Sequence, residues 1–198
     1  MPPMLVHYIK LSLPMTEAEE QPSLTIHGVF LDVLGIGVLL TGESGIGKSE
    51  LSQTMINRGH RLVADDAVLL HKANEEALTG RCPEILQDFL EVRGLGILNI
   101  RVMFGDTSIK ESKRLQLIVN IVAFDQEELK SIDRLLGLYT TREILGIKIP
   151  EVTIPVAPGR NLAVLVEGAV RNQVLKHTGY DAGLEFASRQ RQLMDEQG

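Results

Sequence analysis

The eight residues GESGIGKS, Gly42–Ser49, restrict this chain more than any other segment. They match the P-loop pattern G-x-x-x-x-G-K-[ST] at every fixed position. An apolar run, GVLL at 37–40, leads into them, and a helical pattern from Ser49 to about Arg58 follows, with Gly59 placed to cap it. A chance glycine-rich turn would not sit between a buried strand and a helix. Gly42, Gly45 and Gly47 let the backbone wrap with its N–H groups inward, through positive φ values that only glycine adopts cheaply. The helix adds its free N-terminal N–H groups and dipole. Lys48 supplies a mobile positive charge for the β- and γ-phosphates, and Ser49 offers a hydroxyl to Mg²⁺. Gly42, Glu43, Ser44, Gly45, Ile46, Gly47, Lys48 and Ser49 are therefore the expected nucleotide-binding residues. The motif alone does not separate an ATPase, a GTPase and a kinase.

The elements around the motif alternate as in an α/β fold. LTIHGVFLDV, 24–33, reads as one strand, and RLVA, 61–64, as another that ends in Asp65-Asp66. AVLL, 67–70, resumes extended structure, while 72–88 reads as polar and irregular. FLEVRGLGILNI, 89–100, is a strand or turn with glycines, and RLQLIVNIVAF, 114–124, is a strong strand. Residues 125–141 are charged and read as a loop. EILGIKIPEVTIPV, 143–156, is extended, with Pro150 and Pro155 pointing to sheet edges or strand ends. Helices are expected from Asn161 to Lys176 and, capped by Asp181, to about Met194. Residues 1–23 read as an appendage with an acidic, turn-rich linker, and 24–198 as the working domain.

Composition narrows the function classes. The 198 residues suit one domain, possessing enough apolar sequence for a full core. A net charge of −6 without basic clusters argues against nucleic acid. No apolar run reaches the ~18 residues of a membrane span. Cys82 is the single cysteine, so no internal disulfide forms, and with no signal peptide the chain is expected in a reducing, cytoplasmic setting. Cys82 has no identifiable histidine partner and reads as incidental.

Asp65-Asp66 closes a strand, where α/β folds place their ligand crevice. One carboxylate can hold Mg²⁺ and the other act as base, and adjacent carboxylates raise each other's pKa. The plainer reading is a polar turn, and the upstream P-loop favours the functional one. Alone, Glu91 beside Arg93 reads as a salt bridge, His27 as a packed or surface histidine, and Arg134 and Arg160 as surface cations.

LTIHGVFLDV, GVLLTGESGIGKSE, RGHRLVADD, FLEVRGLGILNI, IDRLLG and VTIPVAPGRNLAVLVE occur in this order over roughly residues 24–180. Together they resemble the HPr kinase/phosphorylase family. The resemblance implies a P-loop α/β catalytic domain with the fold of phosphoenolpyruvate carboxykinase rather than of eukaryotic protein kinases. It implies an enzyme that phosphorylates a serine of the phosphocarrier protein HPr with ATP, and removes that phosphate with inorganic phosphate to give pyrophosphate. It makes His27, Lys48, Asp66 and Arg134 the catalytic residues, Asp66 exchanging the serine proton in both directions. It assigns Ser49 and Glu91 to Mg²⁺, Leu90–Asn99 to both reactions, and Val156, Ala157, Pro158, Gly159, Arg160 and Asn161 mainly to dephosphorylation. It also implies a homohexamer in the cytoplasm, with no nucleic acid or membrane partner.

The sequence departs from the family at Glu43, where Asp is frequent, and at Gly168, where an aliphatic residue is usual. Residues 1–23 are too short for the separate N-terminal domain common in the family. Two other readings compete: a small-molecule kinase or carboxykinase-like enzyme using the same P-loop and Asp66 on a metabolite, and a nucleotide-binding regulatory module without transfer activity.

Overall fold

The computed structural model describes residues 22–124, 137–157 and 159–196. Its frame is a mixed nine-stranded sheet. β1 (Ser23–His27), β5 (Ala67–Asn74), β6 (Ala77–Arg81), β9 (Ser112–Ala123), β3 (Ile36–Gly42), β2 (Val29–Val33) and β4 (Arg61–Ala64) lie side by side in that order. β11 (Ile147–Val156) also pairs with β9, and β10 (Tyr139–Ile144) pairs with β11. β7 (Phe89–Val92) and β8 (Gly96–Asn99) form a separate two-stranded sheet. The helices are α1 (Lys48–Asn57), the short α2 (Ile100–Phe104), α3 (Leu162–His177) and α4 (Ala182–Glu196).

β9 organises the sheet because it is the longest apolar run. Leu115, Leu117, Ile118, Val119 and Ile121 are all buried, as expected of a central strand covered on both faces. β3 and β11 both run parallel to it, with Gly42 opposite Ile121 and Val156 opposite Ala123. The P-loop and the 156–161 segment therefore leave the sheet at the same end. One face of the sheet packs α1, α3 and the β7–β8 hairpin around Leu40, Met55, Leu90, Val119 and Val166. The other buries Phe30, Leu39, Leu70, Leu78 and Ile118.

Gly59 closes α1 as expected, with His60 N–H donating to Met55 O (3.1 Å) and Gly59 N–H to Ile56 O (2.9 Å). Asn161 caps α3 through Val164 N–H (3.3 Å), and Asp181 Oδ1 accepts from Gly183 and Leu184 N–H (2.9 and 3.3 Å) ahead of α4.

Four expectations are corrected. Residues 139–141, read as the end of a charged loop over 125–141, open β10, and residues 125–136 lie outside the described residues. LTIHGVFLDV is two strands, not one: the chain breaks at Gly28, and β1 joins β5 while β2 joins β3 and β4. A Cβ at Gly28 would stand 2.5 Å from the Leu40 carbonyl oxygen, so only glycine allows this crossing. Residues 72–88 are not irregular throughout: β5 continues to Asn74 and β6 follows, short and mostly buried, at Ala77, Leu78 and Gly80. Pro150 and Pro155 lie in an internal strand. Each falls where β11 has one neighbour only, Pro150 opposite β10 and Pro155 opposite β9.

Candidate active site

At the end of β3 the backbone takes the positive φ values read from the sequence, 141° at Gly42, 82° at Gly45 and 99° at Gly47. Gly42 is required for space as well, since a Cβ there would meet the Ile121 carbonyl oxygen at 2.3 Å. Gly47 is the N-cap of α1, so no side chain competes for the free N–H groups of its first turn. Lys48 is buried, and its Nζ donates to the carbonyls of Gly42 (2.9 Å) and Glu43 (3.0 Å). That arrangement holds the ammonium over the loop and leaves one of its three donors for an anion.

A cavity of about 150 Å³ opens over this loop. Ser44, Gly45, Gly47, Lys48 and Ser49 line it from the P-loop, His27 from the end of β1, Asp65 and Asp66 from the β4–β5 turn, and Glu91 and Arg93 from the hairpin. Gly42, Glu43 and Ile46 do not line it: the first two hold Lys48 by their carbonyls, and Ile46 packs on the core.

Asp66 has φ 63°, a left-handed backbone that aspartate tolerates better than most residues. Its carbonyl accepts from Gly28 N–H (3.2 Å) and lies 2.9 Å from His27 Nδ1. The same nitrogen is 3.0 Å from Asp66 Oδ1. A ring nitrogen between two acceptor oxygens carries the proton, so His27 donates from Nδ1 and fixes the orientation of Asp66. The Asp66 carboxylate is half-exposed at the cavity mouth.

Asp65 plays the opposite part. It is buried, and its Oδ2 accepts the Glu91 N–H at 2.8 Å. Burial raises its pKa, backbone N–H groups of Glu91 and Asp66 oppose the shift, and the Asp66 and Glu91 charges add to it. The mutual effect of adjacent carboxylates, read from the sequence, is thus minor here beside desolvation.

The cavity therefore brings together His27, Lys48, Ser49, Asp66 and Glu91. Arg134 and Pro158 lie outside the described residues. Arg160 lines a second cavity of about 760 Å³ with Tyr139, Thr153, Val164 and Asn172, between β10–β11 and α3. Sequence reasoning assigned Arg93 no role of its own beyond the 90–99 segment, yet its guanidinium stands 3.1 Å from where a Gly45 Cβ would lie. Its place on the hairpin beside Glu91 was the available signal. It also missed the holding role of Asp65, which depends on burial.

Fold and cavity define a P-loop α/β domain with carboxylates gathered over its phosphate-binding loop. The family model described as HPr Serine kinase C-terminal domain matches residues 19–190, and the chain belongs to that family. It is 53% identical over 194 residues to an HPr kinase/phosphorylase of Neisseria meningitidis serogroup C / serotype 2a, covering 98% of this chain and 60% of that protein. With an HPr kinase/phosphorylase of Bordetella pertussis it shares 54% identity over 169 residues, 85% of this chain and 54% of the relative. The chain thus spans little more than half the length of these relatives. The solved structure titled as the Hpr(Ser) kinase/phosphatase from Coxiella burnetii superposes with a TM-score of 0.73 at 40% identity, over 82% of this chain and 98% of that one. The match bears out the expected P-loop fold of the phosphoenolpyruvate carboxykinase type.

Proposed function

We propose that residues 24–198 form the catalytic domain of an enzyme that moves a phosphoryl group between ATP and a serine of HPr, with residues 1–23 as an appendage. In the reverse direction inorganic phosphate takes the group from phosphoserine and leaves as pyrophosphate. One observation carries the reading: a P-loop with its lysine and a half-exposed carboxylate, Asp66, line the same cavity. Phosphoryl transfer needs positioning and charge neutralisation above all. The loop N–H groups and Lys48 hold the phosphates, and Asp66 takes the serine proton as the oxygen attacks. In reverse the serine oxygen leaves and regains that proton from Asp66. His27 keeps the carboxylate turned to the mouth.

The donor set suits Mg²⁺. Ser49 and Glu91 are hard oxygen donors on one polar cavity, and no all-protein cage of three or more ligating side chains exists among the described residues. Mg²⁺ binds by one or two carboxylates with substrate phosphates and water. When bound it would neutralise phosphate charge. A small-metabolite kinase would close its base inside a pocket, whereas the half-exposed Asp66 suits a hydroxyl delivered on a protein surface. Among the described residues no helix is long and apolar enough to cross a membrane. A cytoplasmic homohexamer, with Arg134 in catalysis and Val156–Asn161 serving dephosphorylation, completes the proposal.

Incubation with ATP, Mg²⁺ and purified HPr, followed by intact mass of HPr, tests it. A single added phosphoryl group on serine is expected, removed again by inorganic phosphate with release of pyrophosphate. Unmodified HPr after prolonged incubation would refute it.

A further inference from the structure

Among the described residues the hairpin that carries Glu91 and Arg93 has no strand neighbour outside itself, since β7 and β8 pair with each other alone. A lone two-stranded hairpin is marginal in water, so its position depends on what fastens it. Leu90 and Val92 insert into the core and set which face points outward. They do not set how the base of the hairpin is aimed.

The base is closed by a pair outside both strands. Asp88 immediately precedes β7, and Arg101 follows β8 at the start of α2. Arg101 grips the Asp88 carboxylate with two nitrogens, Nε to Oδ2 at 2.6 Å and Nη2 to Oδ1 at 3.0 Å. Its third nitrogen, Nη1, donates to Asp106 Oδ1 at 2.7 Å. The Asp88 carbonyl also accepts the Ile100 N–H at 2.9 Å, and its backbone sits at φ 72°. A forked guanidinium fixes direction as well as distance, which a lysine ammonium cannot do. From Asp106 the chain returns to β4, where Lys110 N–H donates to Leu62 O at 2.8 Å. β4 leads to Asp65, which holds the Glu91 N–H. Both ends of the hairpin are thus referred to one strand.

We propose that Asp88 and Arg101 are positioning residues: their forked ion pair aims the β7–β8 hairpin so that Glu91 and Arg93 reach the P-loop cavity. This rests on the reading of Glu91 as a metal ligand. The Arg101 guanidinium and its hydrogen bonds also hold the Asp88 carboxyl below the usual carboxylate range, as a persistent pair requires.

Two measurements on the full chain test the proposal, hydrogen exchange of the amides at 89–99 and calorimetric titration with ATP with and without Mg²⁺. Arg101→Ala should speed exchange in the hairpin while β3 and β9 stay protected. It should weaken the Mg²⁺-dependent part of ATP affinity by about tenfold, the lower end for an outer-shell partner of a metal ligand. Arg101→Lys keeps the charge without the fork and should fall between, and it serves as the readout if the alanine variant unfolds. In Arg101→Ala combined with Glu91→Gln the loss should not exceed that of Glu91→Gln alone, because both act through one contact. Unchanged hairpin exchange in Arg101→Ala, or losses that add in full, would overturn the proposal. If the wild-type chain gains no ATP affinity from Mg²⁺, the metal reading of Glu91 fails, and the exchange measurement still decides whether the pair positions the hairpin.

Discussion

The P-loop and the β7–β8 hairpin line the same cavity and are built in opposite ways. The P-loop is local: its shape comes from positive-φ glycines, its lysine is tied to carbonyls five and six residues away, and its helix starts within it. The hairpin is held from a distance, by Asp65 across 26 residues and by Arg101 across 13. Backbone geometry thus shapes the P-loop, whereas side-chain contacts hold the Glu91 carboxylate on the cavity it lines. The first kind of construction fails by steric change at one residue, the second by loss of a distant partner.

The largest effect is expected at Lys48. Lys48→Ala should lower HPr phosphorylation at saturating ATP by about 10²–10³-fold, the scale for losing one preorganised electrostatic donor, with the fold retained. Full turnover would remove the P-loop from the chemistry. Gly42→Ala comes next. Its Cβ would collide with the Ile121 carbonyl, and neighbouring backbone cannot yield cheaply. Denaturant titration should show a loss of about 1–3 kcal/mol, the range for overpacking. Wild-type stability would show that the loop is more pliant than the comparison holds.

Arg160→Ala should act more selectively. Arg160 stands at the turn before α3, lining its own cavity. A guanidinium beside a helix N-terminus favours phosphate. Phosphorolysis should slow by about tenfold, the worth of one charge-assisted hydrogen bond, with phosphorylation little changed. Equal losses in both directions would assign Arg160 to general binding or assembly.

The smallest effect concerns a clamp remote from the cavity. Glu167 on α3 accepts from Arg58 Nε and Nη2 (both 2.7 Å) and faces His60 Nε2 at 2.9 Å. These hydrogen bonds, Arg58 first, depress its pKa from 4.5 to about 2. A depressed carboxylate stabilises fully above its unfolded pKa and loses that contribution as pH falls through the folded one. The wild-type chain should therefore lose more stability between about pH 5 and pH 2 than Glu167→Gln. Parallel losses on denaturant titration would deny the clamp an energetic role.

The same contrast explains what was legible in the sequence. The P-loop, α1 with its Gly59 cap, β4, β9, α3 and the Asp181 cap of α4 rest on local patterns, and the sequence shows them. The break at Gly28 was hidden because extended, apolar-rich sequence runs on both sides of it, and the crossing over Leu40 forces the chain to change neighbours. β6 was hidden because it is only five residues long, ALTGR, with a glycine inside it and no clear alternation. Of the residues read as catalytic or metal-binding, His27, Lys48, Ser49, Asp66 and Glu91 line one cavity, while Arg134 lies outside the described residues. The holding part of Asp65 and the Asp88–Arg101 pair rest on tertiary contacts that no local pattern announces.

The central claim is that one carboxylate serves both directions of transfer over this P-loop, and Asp66→Asn tests it most directly. Phosphorylation of HPr and phosphorolysis of phosphoserine HPr should be measured on one preparation, with ATP binding measured in parallel. The account predicts a fall of about 10²–10⁴ in both rates, the range for a lost general acid–base group, with ATP affinity nearly intact. Loss of the forward reaction with phosphorolysis retained at the wild-type rate would contradict it.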